Sequence, residues 1–361
     1  MFLKSLFRPI PKEPSVIKEV YNEHTPSRLS GVYSGERWRH QSMGKTLEWV
    51  TDLPKYMELQ KQAQENIIHW EQKKSSPPES VEVVNKDWGV ATLEATKKHG
   101  VPYSVLNMAN PVFPGGAALE GGSAQEENMW HRSTCAQSLL DTSVHLDKES
   151  MTFRYNETTS NLVEAKIKMT EEEHAIIGDH NYENGSRYKV LFNSEPRVCF
   201  RGPEVSFITS GFDDFTPTGR KVDSVLSYSF LSKSDIFPFY ELRSAAPELS
   251  TTPYGLTQEE LAHYRTDLRR RIAAQLDTLI IEGKRNVILG AWGCGEFHND
   301  PVLVAELYGE EINKRAHFFD HIVFPILNTG SHNNYEIFNH HLNGMKLKNE
   351  SPNDVPALTH I

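Results

Sequence analysis

The sequence predicts an α/β fold, a sheet with helices on both faces, and three observations carry that expectation. Beyond residue 100, short apolar runs of strand length alternate with segments of helical period. Residues 103–109 and 286–290 each run straight into a glycine-rich loop with a helical segment behind it. Residues 257–283 keep Leu261, Tyr264, Leu268, Ile272, Leu276 and Leu279 on one face, and Gly283 follows as a stop.

The elements can be taken in order. Residues 1–30 carry prolines at 9, 11, 14 and 26 without a period and read as an N-terminal arm. Residues 31–99 form a helical accessory region. Trp49, Leu53, Tyr56, Leu59 and Ala63 recur at three- and four-residue spacing, Lys-Ser-Ser-Pro-Pro-Glu-Ser at 74–80 is a break, and a helix over 87–99 stops at Gly100. The main domain spans 100–345. Within it, 126–140 has a helical pattern, 145–200 is polar with an acidic run at 171–173 and reads as a loop-rich insertion, and 205–210 is a strand. A helix opens at Pro301 with Asn299 or Asp300 as its N-cap, and 321–327 is a last strand. Residues 346–361 read as a polar tail.

The 361 residues are long enough for one large domain or two modest ones, and a net charge of −10 argues against a broad nucleic-acid surface. It leaves room for a small anionic ligand, because backbone N–H groups and helix N-termini bind phosphate without net positive charge. Cys135, Cys199 and Cys294 are odd in number and far apart, with neither a disulfide framework nor zinc spacing. A reducing, cytoplasmic setting is expected, with export by signals other than a cleaved leader left open. No run approaches the ~18 apolar residues of a membrane span. His317 and His321 are four apart but no Glu follows His317, so neither a metal nor a cofactor is expected.

The chemistry concentrates in residues 114–127, Pro-Gly-Gly-Ala-Ala-Leu-Glu-Gly-Gly-Ser-Ala-Gln-Glu-Glu. A loop with Gly115, Gly116, Gly121 and Gly122 brings backbone N–H groups close to a phosphate, and two adjacent carboxylates follow. As isolated features, a glycine cluster is also a surface loop, and Glu126 and Glu127 are also acids that the first turn of any helix favours. Together they suggest an enzyme that cuts a bond beside a phosphorylated sugar, one carboxyl holding ribose hydroxyls while the other exchanges the proton. The second loop, residues 290–301, sets Trp292 and Phe297 among glycines, which suits a pocket where backbone touches a diphosphate and a ring packs on sugar or base. Cys294 lacks a His–Asp partner and fits better as a small residue at a crowded turn. Asp213 and Asp214 follow the 205–210 strand and reach the same rim, or are simply solvated.

The two loops together resemble the bacterial-type poly(ADP-ribose) glycohydrolase family, a branch of the macrodomains. Its signature is Gly-Gly-Gly followed after a short spacer by Gln-Glu-Glu. Here Gly115-Gly116-Ala117, seven residues and Gln125-Glu126-Glu127 fit it, residues 289–301 resemble the family's second loop, and 101–107 resemble the preceding strand. The resemblance implies a macrodomain-like mixed sheet flanked by helices, with an N-terminal helical accessory region. It implies an ADP-ribosyl glycohydrolase that cuts the C1″ ribosyl bond of poly- or mono-ADP-ribosylated protein without a cofactor. Glu127 matches the catalytic acid/base and Glu126 the carboxylate on the ribose hydroxyls. Gly115, Gly116, Ala117, Gln125, Trp292, Gly293, Cys294, Gly295 and Phe297 match the ADP-ribose loops, with Asn107 a further ribose contact. Two departures bear on substrate. Ala117 replaces the third glycine, and Phe113 stands where the family usually has Asn. An arginine-linked substrate would have Asp213 or Asp214 against its guanidinium. The alternative is a macrodomain that binds ADP-ribose without cutting it; a nucleotide-dependent transferase or kinase is disfavoured because neither loop is followed by Gly-Lys-Ser/Thr.

Overall fold

The structure is a computed structural model that describes residues 13–27, 35–178, 187–208, 220–249, 255–328 and 333–347. Its helices are α1 (Pro14–Glu23), α2 (Glu36–Thr51), α3 (Leu53–Glu71), α4 (Trp88–His99), α5 (Gln125–Arg132), α6 (Glu157–Val163), α7 (Glu171–Ile177), α8 (Gln258–Ile281), α9 (Pro301–Arg315) and α10 (Asn334–Leu342). Its strands are β1 (Ser80–Val84), β2 (Ser104–Asn107), β3 (Val144–Asp147), β4 (Thr152–Tyr155), β5 (Ile167–Lys168), β6 (Tyr188–Lys189), β7 (Leu191–Phe192), β8 (Arg197–Cys199), β9 (Val205–Ile208), β10 (Arg220–Asp223), β11 (Phe237–Arg243), β12 (Asn286–Ile288) and β13 (His321–Pro325). No helix among the described residues is long and apolar enough to cross a membrane.

The central sheet runs β1-β13-β12-β2-β11, every neighbouring pair parallel, and β7 and β8 add antiparallel to the far side of β11. Side chains alternate across it as strand geometry requires. Leu106, Leu242, Val287, Ile322 and Phe324 join one core with α8, α9 and α10. Val105, Phe237, Phe239, Ile288 and Val323 join a second core with α1 to α5. Both faces are covered, which is why strands such as β12 and β13 read as mostly apolar runs. The N-terminal helices are therefore one of the two layers that bury the sheet.

Local signals explain most boundaries. Thr257 caps α8 in a reciprocal box with Glu260, and Gly283 lies just beyond its end with φ +65°. Asp87 accepts from the N–H groups of Gly89 and Val90 at the start of α4, while Gly100 ends it with φ +62°. Asp300 is the N-cap of α9, accepting from Val302, with Pro301 in its first turn.

Five segments differ from the sequence reading. Ser80–Val84, inside the stretch read as helical accessory region, is an edge strand of the main sheet. Residues 126–140 are not one helix. Ser133 turns extended and caps a 3-10 segment over Thr134–Leu140, and its neighbour Thr134 accepts from Val198 of β8. The 145–200 stretch supplies β7 and β8 to the sheet instead of forming only loops. The strand at Val205–Ile208 exists but, among the described residues, pairs with β10 alone, in a separate antiparallel two-stranded sheet. Residues 345–347, at the start of the presumed tail, bond back to Glu79 and Val81 beside β1.

Candidate active site

Four adjacent parallel strands end on one side of the molecule, and the residues just beyond those ends enclose a hollow of about 440 Å³. Met108 and Asn110 follow β2, Ala246 follows β11, 291–293 and 295–297 follow β12 and Leu327 follows β13; Gln125, Glu126 and Glu127 of α5 and Asn334 of α10 complete the wall. Clefts outside the carboxyl ends of strands are where open α/β sheets bind ligands. The Glu126–Glu127 pair and the 292–297 turn, some 170 positions apart in sequence, thus border the same space.

Gln125 aims the carboxylates. Its Oε1 accepts from the Met108 N–H at 2.9 Å and its Nε2 donates to the Leu106 carbonyl at 2.9 Å, tying the first turn of α5 to the end of β2. Glu126 then receives the Asn110 N–H on one oxygen at 2.7 Å and the Gly115 N–H on the other at 3.0 Å. Glu127 receives the Ala117 N–H on Oε1 at 2.9 Å, while its Oε2 is buried without a partner. Both side chains are more than nine-tenths buried. The glycine loop therefore holds the carboxylates. The Gly115 and Ala117 N–H groups turn onto the acids and the Gly116 N–H onto the Phe113 carbonyl, so none of the three is left for a phosphate.

Burial pushes both acids above the ordinary carboxylate value, and Glu127 raises Glu126 further. For Glu127 the carboxylates of Glu296 and Glu120 act in the same direction, against the Ala117 hydrogen bond. Hydrogen bonding separates the two roles. Two N–H donors, one to each oxygen, and the attraction of Arg243 favour the ionised form of Glu126, against burial and the neighbouring Glu127, which together push it well above the ordinary value. Glu127, with one oxygen hydrogen-bonded and the other bare, has fewer donors to hold a charge.

Space at the loop explains its glycines. A Cβ on Gly116 would lie 2.3 Å from Oε1 of Glu127. A Cβ on Gly121, whose φ is +89°, would lie 2.0 Å from the Glu36 carbonyl oxygen at the start of α2. The N-terminal helices grip the same loop through His40, which donates to the Leu119 carbonyl at 2.6 Å, and His24, 2.9 Å from Glu120. Because the obstacle at Gly121 is backbone, Gly121→Ala is expected to lose about 2–4 kcal/mol, from left-handed strain plus overpacking. Urea unfolding at constant m-value checks this; a loss below about 1 kcal/mol would mean that α2 moves aside.

The second loop is held from beneath. Trp292 is wholly buried and donates from Nε1 to the Ser244 carbonyl at 2.9 Å. Asn299 donates from Nδ2 to the carbonyls of Pro247, Gly293 and Phe297, and its Oδ1 accepts from Tyr264. In this fixed turn the N–H groups of Gly293, Gly295, Glu296 and Phe297 carry no hydrogen bond among the described residues. A Cβ on Gly295 would meet no atom within 4 Å, so backbone is open to a ligand there. Four unengaged donors in one turn form an anion site of the kind expected of a nest.

Below Glu126 lies a buried ionic cluster. Glu241 accepts from Arg243 at 2.8 Å, Arg197 at 3.0 Å and Asn107 at 2.8 Å. Arg243 also reaches the Tyr155 hydroxyl at 3.1 Å, and both arginines reach Ser138. Two guanidiniums against one carboxylate leave one positive charge, which an ionised Glu126 balances.

The sequence-derived residues divide accordingly. Glu126, Glu127, Gln125, Trp292, Gly293, Gly295 and Phe297 border the hollow. Gly115, Gly116 and Ala117 stand behind the carboxylates. Asn107 is a correction: its side chain is fully buried on Glu241, a position the strand's alternation dictates, and does not face the hollow. Cys294 is another; it packs into the core beneath the turn, its thiol pushed up by burial. Asp213 and Asp214 lie outside the described residues. Sequence reasoning missed Asn110, whose Oδ1 accepts from Val112 and Phe113 and so sets the turn into the loop. It also missed Glu296, Asn334 and the Arg243 cluster. Among the described residues, no group of three or more His, Cys, Asp or Glu is placed to hold a metal ion.

Residues 41–165 match the family model for the catalytic domain of microbial-type PARG. Similar solved structures include the poly(ADP-ribose) glycohydrolase of Thermomonospora curvata, 20% identical over 84% of this chain and 99% of that one, TM-score 0.48. The enzyme from Deinococcus radiodurans in complex with ADP-ribose is 19% identical over 78% of this chain and 91% of that one, TM-score 0.45. No curated protein matches the chain.

Proposed function

We propose that this chain, whose residues 41–165 match the family model for the catalytic domain of microbial-type PARG, is an ADP-ribosyl glycohydrolase that hydrolyses the C1″ bond of ADP-ribose attached to protein. The observation that carries the reading is the bare, buried Oε2 of Glu127 on the same hollow as four unengaged backbone N–H groups. The 293–297 turn takes the diphosphate through those donors, and Phe297 packs against the sugar. Glu126, fixed and ionised, accepts ribose hydroxyls with its remaining lone pairs and steadies the positive charge that develops as the bond to C1″ lengthens. Glu127 gives its proton to the departing atom and recovers one from the water that attacks C1″. The net change is one water consumed, its hydroxyl on carbon and its hydrogen on the leaving group. No step calls for a metal or cofactor.

A protein that only held ADP-ribose would gain nothing from burying an unpartnered acid, because burial costs stability. The test uses the full chain. Mono- and poly-ADP-ribosylated proteins are incubated with it and free ADP-ribose is followed by chromatography, with ADP-ribose binding measured by calorimetry. Release from at least one substrate is expected. Binding without release would move the chain to the non-catalytic reading, and neither binding nor release would end both.

A further inference from the structure

We propose that the leaving group this hollow accepts is a cation, the guanidinium of an arginine side chain, and that Glu296 receives it. The inference rests on the glycohydrolase reading and narrows it to a substrate class. Of the residues that border the hollow, Glu126, Glu127 and Glu296 are acidic, and among the described residues none is Lys, Arg or His. Glu126 is engaged by two N–H donors and balanced by Arg243. Glu296 is exposed and makes no hydrogen bond or ion pair among the described residues. Independently, Glu127 presents a buried oxygen without a partner from a side chain more than nine-tenths buried, so this part of the wall is completed by a polar group that arrives with the substrate. Glu120, on the signature loop, adds further negative potential at Glu127.

The possible leaving groups differ in charge. In a polymer the departing atom is a ribose oxygen whose own unit carries a diphosphate, and this anion would meet Glu296 with no cation among the described lining residues to offset it. A serine-linked oxygen is neutral and gains nothing from Glu296. A guanidinium presents N–H donors in a planar fork that a carboxylate accepts two at a time. Glu296 is thus a specificity residue, a partner for the group being released while Glu127 performs the proton exchange. The bond that breaks is C1″–N, whose electron pair stays on nitrogen. That nitrogen takes the Glu127 proton, C1″ takes the water's hydroxyl, and the remaining water proton returns to Glu127. Arginine leaves as its usual cation.

The experiment compares kcat/KM for an arginine-linked mono-ADP-ribosyl peptide, a serine-linked one and auto-modified poly(ADP-ribose), with wild type, Glu296→Gln, Glu296→Asp and Glu296→Lys. Wild type is expected to prefer the arginine conjugate to polymer by about tenfold or more. Glu296→Gln should cut that ratio about tenfold, Glu296→Asp should restore most of it, and Glu296→Lys should invert it. The preference should also shrink as salt rises from about 0.05 to 0.5 M. Faster release from polymer than from the arginine conjugate by wild type would overturn the proposal, as would a ratio unmoved in Glu296→Gln. Absence of release from every substrate would instead remove the glycohydrolase reading on which it stands.

Discussion

Glu127→Gln is expected to reduce ADP-ribose release by about 10²- to 10⁴-fold while leaving ADP-ribose affinity within about threefold, and to make the protein more stable at neutral pH. The substitution keeps the shape and the acceptor that receives the Ala117 N–H. It removes the exchangeable proton. The stability change follows from linkage: burial raises the folded-state value of Glu127 above the ordinary 4.5, so between the two values the folded protein binds more protons than the unfolded chain. Stability contributed by this group is full below about pH 4.5 and is lost as pH rises through the raised value. An amide never ionises and escapes that loss. The variant's melting temperature should exceed wild type's at pH 8 and converge with it near pH 4.5. The wild-type rate should decline on the alkaline side as Glu127 loses its proton, a limb absent from the residual activity of the variant. Melting curves across pH, with kcat profiles beside them, test both halves. Unchanged turnover would remove Glu127 from its role, and a variant less stable than wild type at pH 8 would contradict the protonated assignment.

That prediction depends on residues legible in the sequence because their spacing is local. Gln125, Glu126 and Glu127 sit in consecutive positions at a helix start, and the glycines that admit them lie within a dozen residues. The long amphipathic helix, the helix stops at Gly100 and Gly283 and the strand before each loop were readable for the same reason. What was hidden depends on partners distant in the chain. β11, the longest strand, reads Phe-Pro-Phe-Tyr-Glu-Leu-Arg, and its charges disguise it as a surface segment. Glu241 and Arg243 stand at alternate positions on one face of that strand, where they meet Arg197 of β8 and Asn107 of β2. Nothing in the local pattern announces such a cluster. Asn107 was misplaced because a polar residue at a strand end points to a ligand or to a buried partner according to register alone. The loop's N–H groups were assigned to phosphate because composition shows that donors approach an anion, not that the anion is the protein's own.

The same cluster yields the largest expected loss of stability. Glu241→Ala should cost about 3–5 kcal/mol, since it leaves Arg197 and Arg243 buried with no carboxylate between them and Asn107 without its acceptor. The two arginines hold the Glu241 carboxyl down to about 2 against the opposing effect of burial. Its contribution is therefore present above the unfolded value of 4.5 and disappears as pH falls through about 2, so variant and wild type should converge in strong acid. Urea unfolding at pH 7 and at pH 3 measures the change, and an equal loss at both would mean that packing and not charge is responsible. A second variant separates stability from chemistry. Replacing Arg197, Glu241 and Arg243 together by apolar residues of similar volume removes every buried charge of the cluster, and buried ion clusters replaced in this way are commonly neutral or stabilising. The triple variant should therefore recover most of the lost stability. It should not recover turnover, because Glu126 then lies in an apolar site with no guanidinium beneath it, binds a proton, and no longer supports positive charge at C1″. Recovery of both would show that the cluster is a structural element alone; recovery of stability without rate assigns it the task of keeping Glu126 ionised.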